Sequence, residues 1–135
     1  MKTRYQLEAA DVRRILDAAT REAQANGWNV SIAVVDDGGH LLGFVRLDGA
    51  APLSAAISVS KARTSALGRK ETAVYEEMIN QGRTSFLSAP LVDGMLEGGV
   101  PVVQDGGVVG AVGVSGVKSS EDAQVARAGV AALST

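Results

Sequence analysis

Along the first part of the chain, apolar residues recur at three- and four-residue spacing. Leu7, Val12, Ile15, Leu16, Ala19 and Ala23 fall on one stripe. That period predicts an amphipathic helix. Asn26-Gly27 supplies its left-handed stop. The period then changes. In VSIAVVDDGGHLLGFVRL, two β-rich runs flank Asp36-Asp37-Gly38-Gly39-His40, which predicts a hairpin with a glycine turn. Residues 52–69 are rich in Ala and Ser and show no strand alternation. They read as a helix with Pro52 near its start, where a missing N–H is harmless. A shorter helix is expected from about Thr72 to Asn80, with Tyr75, Met78 and Ile79 apolar and Gly82 as its stop. Residues 83–99 hold Pro90, Gly94, Gly98 and Gly99 without a clear period, and read as a loop. VPVVQDGGVVGAVGVSG predicts a second glycine-turn hairpin. The last helix is expected from about Ser120 to Leu133. Ser119 and Asp122 form a capping-box-like start, and Glu121 suits the positive helix end.

The order is therefore α-ββ-αα-ββ-α. Hairpins imply antiparallel pairing, so the fold class is α/β (α+β), with helices against an antiparallel sheet. The two hairpins resemble each other. Residues 34–39 and 102–107 share five of six identities, as a remnant of duplication or as two uses of the same turn chemistry. Both sheet faces are expected to be covered. In the strand Leu41–Leu47, Leu42 and Phe44 lie on one face and Leu41, Val45 and Leu47 on the other. In Val108–Ser115, one face holds Val108, Val112 and Val114. The other holds Val109, Ala111, Gly113 and Ser115 and is nearly bare. A glycine-lined face admits another backbone or a ligand. The small-sided last helix is the expected neighbour.

Composition narrows the chemistry. The 135 residues suit a single domain, 1–135, able to bury a sizeable core. Net charge is −2 and aromatics are 4%, which argues against a nucleic-acid surface. The absence of Cys excludes disulfides and thiolate chemistry, and a single His disfavours an intrinsic metal site. No apolar run is long enough for a membrane span, and the N-terminus lacks the apolar core of a secretion signal. A cytoplasmic protein is expected, with no nucleic-acid or membrane partner.

Several residues could carry chemistry. Ser58-Val59-Ser60-Lys61 matches S-x-x-K on a helix, but its partner motifs are missing. A solvated or ion-paired lysine is the better reading. Gly113-Val114-Ser115-Gly116-Val117 falls one glycine short of a nucleophile elbow, and His40 precedes the serine rather than following it. His40 is either a solvated turn residue or an iron ligand or proton carrier. Arg46 shares a face with Leu42 and Phe44, so it calls for a carboxylate from protein or ligand. Asp36, Asp48, Lys61, Arg63 and Glu97 are further charges on strand ends, on the second helix or in the glycine loop.

Taken in order, SIAVVDDGGHLLGFVRLDGAAP, KARTSALGRKETAVYEEMINQGRTSFLSAPL, LEGGVPVV and GVVGAVGVSGVKSSEDAQVARAG resemble the haem-binding/haem-degrading GlcG-type family. That group includes the haem sensor HbpS and the C-terminal domain of PduO-type cobalamin adenosyltransferases. The resemblance spans almost the whole chain. It implies a profilin-like three-layer α/β/α fold around a central antiparallel sheet, and assembly into a homo-oligomer. It also implies haem as a possible cofactor. A threonine or histidine is the implied iron ligand, which makes Thr64 of the K-A-x-T motif and His40 the candidates. The operon setting it implies is glycolate utilisation.

Together these features point to a small-ligand-binding protein. Arg46, Lys61, Thr64, Glu97, Gly98 and Gly99 are the candidate ligand-binding residues. The two cations would hold an acidic group, and the glycines would let backbone N–H groups approach it. The ligand is a carboxylate metabolite, or haem held through its propionates. The alternative is a cofactor-free enzyme for isomerase, lyase or proton-transfer chemistry on a small carboxylate. There Asp36 or Glu97 would be the base, with Arg46 or Lys61 steadying the developing charge.

Overall fold

The computed structural model describes residues 1–134. Helix α1 spans Ala9–Ala25 and buries Val12, Ile15, Ala19 and Ala23, the expected stripe. Gly27 follows it at φ +71°, in the left-handed region that favours glycine. Strands β1 (Ser31–Asp36) and β2 (Leu41–Arg46) form the first hairpin. Helix α2 runs Pro52–Gly68 and α3 runs Thr72–Asn80; a short 3-10 helix covers Thr84–Ser88. Strands β3 (Gly99–Gln104) and β4 (Gly107–Ser115) form the second hairpin, and α4 (Ser119–Ala131) closes the order.

The sheet is antiparallel throughout, in the order β2-β1-β4-β3. Helices α1 and α4 cover one face, where Val30, Ile32, Val34, Val112 and Val114 meet Ile15, Ala19 and Val125. Helix α2 covers the other, where Ala33, Val35 and Ala111 meet Ala62 and Ala66. These are the three layers that the family resemblance implies.

Three details differ from the sequence reading. The nearly bare face of β4 packs on α2, not on α4. A Cβ built on Gly113 would lie 2.1 Å from the Ser58 carbonyl oxygen and 2.4 Å from the Ala62 nitrogen. The alanines and serines of α2 thus match the missing side chains of β4. Next, bulges interrupt the alternation. Val35 pairs with Leu41 and Val34 with Gly43, so Leu42 is an extra residue. Leu41 therefore joins the face of Phe44 rather than that of Val45. Val109 is the extra residue of β4 and turns into the α1/α4 core. Last, α4 is capped otherwise than expected. Glu121, not Asp122, reaches back to the Lys118 N–H at 3.2 Å.

The similar hairpin sequences also make different turns. Asp105 and Gly106, at φ +51° and +78°, form a two-residue turn between Gln104 and Gly107. In the first hairpin the turn is longer, closed by the Asp36 N–H donating to the His40 carbonyl at 2.9 Å. The difference sits where the sequences differ: Asp36 replaces Gln104 and accepts bonds from inside its own turn. The hairpins also supply non-equivalent strands to the sheet centre, the first strand of one and the second of the other.

Candidate functional site

The candidate residues fall into three separate places. Arg46 pairs with Ser31 and Asp36 ends the same strand five residues on. That separates them by about 17 Å at the usual strand rise. Asp36 therefore does not share a pocket with Arg46.

The second place is the interior under α2. Lys61 is 2% exposed, and its Nζ donates to the Val114 carbonyl at 2.9 Å and to Asp122 Oδ2 at 3.1 Å. Asp122 Oδ1 accepts the Val117 N–H at 3.2 Å. Burial pushes the Asp122 carboxyl above its usual range, against the pull of Lys61. Lys61 is thus an ion-paired structural lysine and offers no free ammonium to a ligand. Ser58 is fully buried and donates to the Ala55 carbonyl, so the S-x-x-K pattern makes no nucleophile. Thr64 is also fully buried, and its Oγ1 accepts the Gly94 N–H at 3.1 Å. It pins the loop to α2 and presents no oxygen to an outside iron. Gly98 and Gly99 are packed against Lys61: Cβ atoms there would lie 2.7 Å from its Nζ and 2.4 Å from its carbonyl oxygen. The Gly99 N–H donates to Thr72 Oγ1 at 2.8 Å, which leaves it unavailable to a ligand. Glu97 beside them is half-buried. Asp122 was missed as the partner of Lys61, because 61 residues of sequence separate them. Only the fold brings them together.

The third place is the β1–β2 turn. Asp36 Oδ1 accepts the N–H groups of Gly38 and His40, each at 2.9 Å, and lies 3.1 Å from His40 Nδ1. Partial burial alone would raise the Asp36 carboxyl. The two N–H donors and the imidazole outweigh it and hold the carboxyl below its usual value. The His40 side chain is 81% exposed. With Nδ1 turned to the carboxylate, Nε2 is left facing outward. Leu41 and Leu42 follow it, exposed, and Leu67 packs against Gly39 in the same turn.

Two surface clefts bear on these residues. One, of about 950 Å³, runs between the N-terminal segment and both hairpin turns. Several of its polar groups are engaged within the chain. Arg4 pairs with Asp37, Arg69 donates to the Asp37 and Ala66 carbonyls, and hydrogen bonding to Asp105 raises the Tyr5 hydroxyl. The other, of about 470 Å³, lies between the end of α1 and β2 and is lined by Trp28, Arg46 and Asp48. Among the described residues there is no cluster of His, Asp and Glu able to hold a metal ion, and no helix long and apolar enough to cross a membrane.

The chain is 59% identical to GlcG of Escherichia coli K12 over 115 residues, covering 85% of each chain. A double mutant of Streptomyces reticuli HbpS superposes with a TM-score of 0.87 at 32% identity, over 98% of this chain and 90% of that one. A PduOC:haem complex superposes with a TM-score of 0.84 at 25% identity, over 95% of each. Residues 7–131 match the haem-degrading HbpS-like family as a whole. The chain therefore belongs to the HbpS-like family of haem-degrading proteins.

Proposed function

We propose that the protein is a small-ligand-binding member of this family and that its ligand is haem, taken at the β1–β2 turn. The observation that carries the reading is the Asp36–His40 pair. A neutral imidazole that donates Nδ1–H to a carboxylate presents the Nε2 lone pair to a metal in a fixed direction, and the carboxylate strengthens it as a donor. Haem is flat and apolar with an acidic edge. Exposed Leu41, Leu42 and Leu67 offer such a molecule apolar contact beside the donor. The residues present fit haem on one side only, since His40 is the chain's single histidine and there is no cysteine. Membership of the family and the likeness to a PduOC:haem complex support haem over other flat ligands.

Haem titration followed by the Soret band tests this. The wild type should give a saturable shifted band that His40→Ala abolishes. Asp36→Asn should weaken binding by about 10–100-fold, the usual effect of losing a ligand's orienting carboxylate. Thr64→Ala should leave the band position unchanged, because Thr64 is interior. A band that survives His40→Ala and is lost in a folded Thr64→Ala protein overturns the assignment.

A further inference from the structure

The cleft beside Trp28 stands apart from the β1–β2 turn and is built differently from the larger one. Arg46 Nε donates to the Ala50 carbonyl at 3.2 Å. Among the described residues no carboxylate lies within ion-pair distance of its guanidinium. The two terminal nitrogens are therefore free to take a planar carboxylate end-on. Asp48 lines the same cleft and is likewise free of an ion pair. Another wall is the C-terminal end of α1, through Gln24 and Gly27. The carbonyls of its last turn are already taken: the Asn26 side chain donates to Glu22, and the Asn26, Gly27 and Trp28 N–H groups donate to Ala23 and Gln24. The half-buried Trp28 ring packs on the core and also lines the cleft.

We propose that this cleft binds a small zwitterion of the amino-acid type. Arg46 takes the carboxylate. Asp48 takes the ammonium. The apolar part of the ligand rests on Trp28. A simple anion satisfies only half of this set, and the carboxylate of Asp48 repels it.

Trp28 is the chain's only tryptophan, so its fluorescence reads this cleft alone. The full chain is titrated with alanine, lactate and propionate, which share a three-carbon frame and differ only in carrying an ammonium, a hydroxyl or neither. Isothermal calorimetry gives the affinities independently. Alanine should give a saturable fluorescence change and bind at least about tenfold more tightly than lactate or propionate, the difference of one charge-assisted hydrogen bond. Arg46→Gln should lose about tenfold or more while keeping its melting temperature, since the side chain is exposed at the sheet edge. Asp48→Asn should erase the preference for alanine over lactate. Equal affinity for lactate and alanine overturns the zwitterion. No saturable response to any of the three, or one unchanged by Arg46→Gln, overturns the site. Neither outcome depends on whether haem binds at His40.

Discussion

The Asp36 carboxylate gathers two backbone N–H groups and an imidazole within a single turn. Its pKa in the folded protein lies below the ordinary 3.8. The sign follows from linkage. A depressed acid contributes stability that is present above its unfolded value and is lost as pH falls through the folded one. Asp36→Asn should therefore be less stable than wild type at pH 7, and the gap should close as the pH drops below about 4. Urea midpoints at a series of pH values measure it; a gap independent of pH would show that the charge plays no part. Both residues were legible in the sequence as separate candidates, a charged strand end and a lone turn histidine. Their pairing was not, because it depends on the turn being longer than its near-identical counterpart at residues 104–107.

Helix α2 packs directly on strand β4, and glycine makes that possible. At Gly113 a methyl group would strike the α2 backbone at 2.1 Å. At Gly106 nothing lies within 4 Å, and only the positive φ of +78° opposes a side chain. The same substitution should thus cost differently for different reasons. Gly106→Ala should lose about 1 kcal/mol, the strain of a left-handed L-residue. Gly113→Ala should lose about 3 kcal/mol, because α2 must lift from the sheet. Thermal and urea denaturation compare them, and equal losses would contradict the packing described. The small-residue face of β4 was visible in the sequence. Its partner was not: α2 and α4 are both rich in Ala, and periodicity does not say which side of a sheet a helix takes.

Across the whole molecule, the Lys61–Asp122 pair links α2 on one face to α4 on the other and ties both to the end of β4. Both side chains are 3% exposed. Removing one charge strands the other in the interior. Lys61→Met or Asp122→Leu alone should therefore cost about 3–5 kcal/mol, and the double replacement should recover most of it. A double-mutant cycle on urea unfolding checks this; losses that simply add would mean the two charges do not interact. The raised Asp122 carboxyl acts on pH in the opposite sense to Asp36. It favours the folded state as pH falls toward the unfolded value and opposes it as pH rises through the folded one. The sequence by itself determined the element order, the helix stops, the two hairpins and, through the resemblance they carry, the family. Those features rest on local periodicity and turn chemistry, which act over a few residues. Only the tertiary structure decided which charges are free. Lys61 is spent on an acid 61 residues away, Thr64 and the Gly98-Gly99 pair are spent on packing, and Arg46 keeps an open guanidinium. Burial and pairing of a charge are set by what the fold brings against it, and no local pattern along the chain encodes that neighbour.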